Sequence, residues 1–170
     1  MRFLCLILLA AAAAMPSNAQ NANSPEAPRW ASLRFLIGEW IGTGAGQPGA
    51  STGAFSFRPE LGGHILVRRS FAGRAKSRHE DLLIIYSDSA TPSGPAIYFD
   101  SEGHVIRYRV TVPSPGTAVF ESDPGDPGPR YRLTYTTAGR DLDGKFEIST
   151  PGARQYKTYL SWKSTPSASN

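Results

Sequence analysis

From Gly38 onward, apolar and polar residues alternate in short runs separated by Gly, Pro, Asp and Ser. A period of two in short, regularly spaced runs is the pattern of half-buried strands in an all-β sandwich or barrel. The runs predict ten strands, at 39–44, 52–59, 64–72, 80–87, 95–100, 104–112, 117–122, 130–137, 143–149 and 156–163. Between them lies turn material: Gly62-Gly63, Ser93-Gly94, Ser101-Glu102-Gly103, Pro113–Gly116, Gly139–Asp141 and Pro151-Gly152. The proline-rich patch Asp123–Pro129 can join neither sheet nor helix.

No connection has room for a crossover helix, so neighbouring strands are expected to pair antiparallel as a meander. Ten such strands leave exposed edges unless the sheet closes on itself. The expected fold is therefore all-β, a ten-stranded antiparallel up-and-down β-barrel, with a two-sheet sandwich as the rival. The strand with the clearest alternation is 104–112. His104, Ile106, Tyr108, Val110 and Val112 share one face, and Arg107, Arg109 and Thr111 share the other. Burying both arginines is costly, so the first face is expected to point inward. The same rule turns Tyr131, Leu133 and Tyr135 inward and Arg130 and Arg132 outward. Strand 80–87 (EDLLIIYS) is apolar on both faces and sets no parity, nor does 156–163.

The N-terminus has a different pattern. Arg2, the apolar run Phe3–Met15 and the small-x-small Ser17-Asn18-Ala19 form a secretory signal peptide over 1–19. The apolar run is short of the ~20 residues a membrane span needs. Residues 20–29 are polar with two prolines and read as a flexible arm, 30–164 as the barrel domain, and 165–170 as a disordered tail. Cys5 leaves with the leader, so the mature chain has no disulfide to hold it together. About 150 residues can bury roughly 68–70% of their unfolded surface, enough for one domain on its own core. The expected compartment lies outside the cytoplasm, the periplasm where the source is a Gram-negative cell. Losing Arg2 takes the formal charge from +4 to +3. The basic residues (Arg68-Arg69, Arg107, Arg109, Arg130, Arg132) are scattered and read as solvated outer strand faces. A nucleic-acid reader would interleave a basic face with stacking aromatics, so nucleic acid is not expected as a partner.

The stretch Leu33–Gly46, LRFLIGEWIGTGAG, organises the chain. An apolar helical turn runs into Gly38-Glu39-Trp40 and then into a glycine-punctuated strand. Gly38 permits a tight exit from the turn, and Trp40 supplies a large wedge with one donor, suited to plugging the closed end of a barrel. Phe35–Gly46, FLIGEWIGTGAG, resembles the opening of the nitrobindin-like and related bacterial barrels of the calycin group, which show a similar F-L-x-G-x-W-x-G-x-G run. The resemblance implies a ten-stranded barrel with fatty-acid-binding-protein-like topology that binds an apolar small molecule, with haem as that family's best-known ligand. It further implies an axial histidine before a Leu in the last strand. The aligned position here is Tyr159-Leu160.

In an up-and-down barrel alternate turns share one end. The turns near 45–51, 73–79, 101–103, 123–129 and 150–155 lie opposite the plug, at the open mouth. That places His79, His104, Asp100, Glu102 and Arg130 around the rim and His64 at the plugged end. The expected ligand-binding residues are His79, His104, Ile106, Tyr108, Arg130, Tyr131, Tyr135 and Tyr159, with Gly38 and Trp40 as the structural plug. Glu80 and Asp81 point to opposite sides of a strand and form no acid/base pair. Asp100 and Glu102 could converge across their turn, which a turn-stabilising Asp also explains.

Other motifs fail on context. Gly44–Gly49 fits G-x-G-x-x-G, yet no helix follows to receive a pyrophosphate. Asp141–Gly144 lacks the later ligands of a calcium loop, the histidine spacing does not match a structural zinc site, and no nucleophile motif is present. The sequence thus points to a secreted barrel that reversibly binds a small apolar or amphipathic molecule. Two alternatives are a haem protein acting on reactive nitrogen species and a filled barrel serving as a structural or interaction module. Neither catalytic nor metal-ligating residues are assigned.

Overall fold

A computed structural model describes residues 29–46, 51–73, 78–86, 94–122 and 128–167. The expected leader and the arm before Arg29 lie outside the described residues, as do 168–170 of the expected tail. After a 3-10 helix at Ala31–Leu36 come ten strands: β1 (Gly38–Gly46), β2 (Ser51–Glu60), β3 (Ile65–Ala72), β4 (His79–Tyr86), β5 (Pro95–Asp100), β6 (Val105–Ser114), β7 (Thr117–Ser122), β8 (Arg130–Ala138), β9 (Asp141–Ser149) and β10 (Lys157–Pro166). Every neighbouring pair is antiparallel, and β1 pairs with β10, so the sheet closes into one barrel. The sandwich alternative is excluded. Pairing continues past the boundary expected at 164, with Trp40 opposite Pro166 and the Ser167 N–H donating to Glu39 O at 2.8 Å. β6 also runs through Pro113 and Ser114, where a register shift beyond Thr111 absorbs the proline.

The helix corks one end. Leu33 and Leu36 are fully buried in the core. The Trp40 indole donates to Leu36 O at 2.9 Å, and the Trp30 indole donates to Gly63 O at 2.8 Å in the β2–β3 turn. Gly38, at φ +142°, makes the exit from helix to strand. The plug expected at Gly38 and Trp40 is therefore formed by the helix and both tryptophans together.

Inside, aromatic rings meet across the lumen. Phe55 on β2 lies 5.9 Å from Tyr135 on β8, and Tyr135 lies 5.5 Å from Phe57, 6.2 Å from Phe120 and 5.7 Å from Trp162. Trp162 fits because its in-register neighbours on both sides are inward glycines, Gly44 on β1 and Gly144 on β9. A methyl group at Gly144 would overlap the indole itself, whereas one at Gly42 would stand 3.4 Å from Trp162 Cδ1. Gly144 thus makes room for the last strand's tryptophan, while a methyl at Gly44 of the G-x-W-x-G-x-G run would stand 3.3 Å from Trp162 Cβ.

Gly144→Ala is expected to lower stability by roughly 1–3 kcal/mol through overpacking, read as a fall of several degrees in thermal midpoint. Gly42→Ala is expected to stay close to wild type. Equal midpoints for the two variants would contradict the packing of Trp162.

Candidate functional site

The lumen has two unlike halves. Toward the plug its inward side chains, among them Phe57, Leu66, Ile85, Val110 and Leu142, have almost no exposure. Toward the mouth the inward positions Tyr98, Ile106, Tyr131, Phe146 and Leu160 are only half-buried. On the β2–β3 side, Gly53, Ser70 and Ala72 project little into the lumen. The mouth half, its basin, is therefore the part of the lumen whose inward side chains solvent reaches.

Its two long walls differ chemically. On β8–β10, Tyr131 and Phe146 stack at 5.9 Å and 9°, and Tyr159 meets Phe146 edge-on at 6.2 Å. On β4–β6, on the other side of the barrel, the wall is polar and linked. Asp100 Oδ1 accepts the N–H groups of Glu102 (3.0 Å) and His104 (2.9 Å), fastening the turn at Ser101–His104. Asp100 Oδ2 lies 2.9 Å from His104 Nδ1 and accepts from the Tyr98 hydroxyl at 3.2 Å. His79 reaches Tyr98 Oη through Nε2 (3.2 Å) and Glu102 Oε1 through Nδ1 (3.3 Å). Burial alone would raise the Asp100 carboxyl pKa, but the bonds from the His104 amide and imidazole and the Glu102 amide outweigh it and hold the value below the ordinary one. Burial, with Asp81 and Asp100 close by, pushes the Tyr98 phenol far above its usual value.

Beneath this wall lies an ion pair that the sequence did not reveal. Arg68 was expected on a solvated outer face; instead it points into the barrel, 7% exposed, pairs with Asp81 and stacks 5.2 Å from the Phe55 ring centre. Its in-register partner on β2 is the inward Phe57, which fixes its side of the sheet. Burial, the largest influence, opposes the guanidinium's charge, but Asp81 together with Tyr135, Tyr98 and Tyr108 outweighs it, so its pKa is raised. Burial likewise raises Tyr108, and it lifts Tyr135 to about 12 against the opposing charge of Arg68. Among the described residues, Arg68 Nε and Tyr135 Oη are buried without hydrogen-bond partners. The parity of β4 is now fixed: Asp81, Leu83 and Ile85 face in, Leu82, Ile84 and Tyr86 face out. Glu80 faces out beside Arg78 at 2.8 Å, so it does not converge with Asp81.

Of the sequence-expected residues, His79, His104, Ile106, Tyr131 and Tyr159 surround the basin and Tyr108, 4% exposed, lies just below it. Tyr135 sits deeper, wholly enclosed by rings. Arg130 is not at the rim. Its guanidinium lies on the outer face, where it donates to Ser149 Oγ and Ala153 O at 3.1 Å and stands over the Tyr156 ring. There it adjoins Arg132, which bonds Glu147 at 2.8 Å. Tyr98, Asp100 and Asp81 complete the polar wall; the in-register row Arg68, Leu83, Tyr98, Ile106 carries the signal that links them. Among the described residues no group of three or more His, Cys, Asp or Glu is placed to hold a metal ion.

For haem, the aligned Tyr159 stands 42% exposed beside a bulge between Thr158 and Leu160, with its ring on Phe146. The lumen below is crossed by ring contacts, so these residues do not fit an enclosed haem with Tyr159 as axial ligand. A second concavity of about 620 Å3 lies on the outer face of β1–β5 between Ile41, Phe71 and Phe99, but its charged groups are already matched, Arg78 with Glu80 and Arg69 with Glu60.

Two tests follow from these contacts. Asp81→Leu alone strands a buried guanidinium and is expected to cost roughly 3–5 kcal/mol, whereas Arg68→Met combined with Asp81→Leu recovers most of it; urea unfolding of the two variants decides. Asp100 and Glu147 both titrate below their unfolded values, Glu147 because Arg132 bonds it. The stability they confer is complete above about pH 4, the unfolded carboxylate range, and is lost as pH falls through the lower folded values. Unfolding followed from pH 6 to 2 is expected to show a flatter acid limb in Glu147→Gln.

No family model matches the chain, and no curated protein matches it. Among solved structures it is similar to an S-type phycobiliprotein lyase from Guillardia theta, at 9% identity, with 81% of this chain and 92% of that chain covered and a TM-score of 0.50. At that identity the likeness speaks to fold alone, the closed antiparallel barrel.

Proposed function

We propose that this chain is an exported barrel, in the periplasm of a Gram-negative cell, that reversibly binds a small amphipathic molecule at its mouth. The observation that carries the reading is the opposition of two walls across an open basin: stacked Tyr131 and Phe146 on one side, hydrogen-bonded His79, Tyr98, Asp100 and His104 on the other. An apolar concavity with a few fixed polar groups is how small-molecule sites are built. The fold likeness to a phycobiliprotein lyase is consistent with a barrel that handles a ligand. The glycine-tryptophan run supports a place beside the nitrobindin-like barrels.

The filled-barrel reading draws on the packed half around Tyr135. The half-exposed inward side chains at the mouth favour the binder instead. The haem reading has no comparable support, and purified protein is expected to show no Soret band.

Nile red titration supplies the test. Wild-type protein is expected to take up the dye saturably. Tyr131→Ala and Phe146→Ala are each expected to weaken it about tenfold, about 1.4 kcal/mol, while Arg130→Ala on the outer face leaves affinity unchanged. Absence of saturable uptake by folded wild-type protein would overturn the proposal.

A further inference from the structure

The polar wall presents acceptors rather than donors to the basin. Asp100 is an ionised carboxylate fastened by two backbone N–H groups, so the proton between it and His104 sits on Nδ1 of the imidazole. His104 Nε2 then carries a lone pair, and it has no partner among the described residues. His79 faces Glu102 through Nδ1. The single Tyr98 hydroxyl proton goes to Asp100 Oδ2, so His79 Nε2 donates to Tyr98 Oη, and both ring nitrogens of His79 are taken up within the wall. Asp81 Oδ2, 3.8 Å from His79 Nε2, and the exposed Glu102 oxygens add further acceptors.

Charge points the same way. Asp81, Asp100 and Glu102 set against Arg68 leave a formal −2 with both imidazoles neutral. Arg68 does not offset the wall toward a ligand, because it is paired with Asp81 and lies below the basin over Phe55. Lys157, in register with Ile148 at the start of β10, stands exposed on the aromatic side. A carboxylate head would therefore meet like charge and lone pairs, whereas an ammonium or other N–H donor would meet acceptors in front and rings behind. A cation near aromatic faces is attracted by their quadrupoles.

We infer that the basin selects amphipathic ligands whose head is cationic or donates hydrogen bonds, and discriminates against carboxylates. This rests on the ligand-binding reading above and names the ligand class of the same site.

The experiment compares three probes with one tail, dodecylammonium, dodecanol and dodecanoate, each displacing Nile red below its micelle concentration. At pH 7.5 dodecylammonium is expected to bind at least tenfold more tightly than dodecanoate, with dodecanol between them. Glu102→Gln, an exposed change that spares the fold, is expected to narrow the ratio about threefold. Dodecanoate binding as tightly as dodecylammonium, or a ratio indifferent to Glu102→Gln, would overturn the inference while leaving a ligand-binding barrel intact. Failure of Nile red and all three probes to bind would instead remove the reading on which it stands.

Discussion

Closing ten strands on themselves limits what the interior can hold, and the rest of this structure follows from that limit. Every strand sends alternate residues into one lumen, and large side chains at every inward position would not fit. The chain resolves the conflict by alternating bulk with absence. Trp162 lies between Gly44 and Gly144, and Tyr135 takes the centre of a ring cluster drawn from β2, β7 and β10. Glycine in a strand ordinarily weakens it. Here Gly144 leaves the volume that the neighbouring indole occupies.

The same limit explains where charge went. Once rings fill the plugged half, a guanidinium stem can lie against them with its head still reaching a carboxylate. Arg68 does this, stacked on Phe55 and paired with Asp81. A buried pair of this kind is weak evidence for stability. It does fix a polar layer between a dry lower half and a wet upper one. Above it, Asp100 holds its turn and His104 while Tyr98 links that turn to His79, so the polar wall is rigid by hydrogen bonding and not by packing.

Much of this was legible in the residues. Turn chemistry at Gly62-Gly63, Ser101–Gly103 and Gly139 set the strand limits, and the absence of any crossover helix set the topology. Alternation along β6 put Tyr108 and Val110 inside and Arg107 and Arg109 outside. Arg68 was lost because charge was used as an outward marker one residue at a time. Arg68 and Arg69 are adjacent, and a strand must send one of two neighbours inward; the partner that makes this tolerable is on another strand. Asp81 was lost for the same reason, in a strand apolar on both faces. Arg130 was read as facing outward, as it does, yet also counted among the ligand residues of the mouth; its guanidinium is held by Ser149 and Ala153 on the outer face, since position along a strand and facing are separate questions.

Function follows from the division of the lumen. A barrel packed from plug to mouth would have no use for half-exposed Tyr98, Tyr131 and Phe146 on inward positions, where water touches rings that a further large side chain could have covered. A barrel hollow throughout would not need Tyr135 to meet four aromatic neighbours. The arrangement is a floor and a basin. The floor supplies stability, so the basin's residues are free to differ in chemistry from one wall to the other without endangering the fold. That separation is what permits Asp100, Glu102, His79 and His104 to gather at one edge: at the mouth they keep enough water to stay charged or to titrate, and the ring-filled half below would not tolerate them.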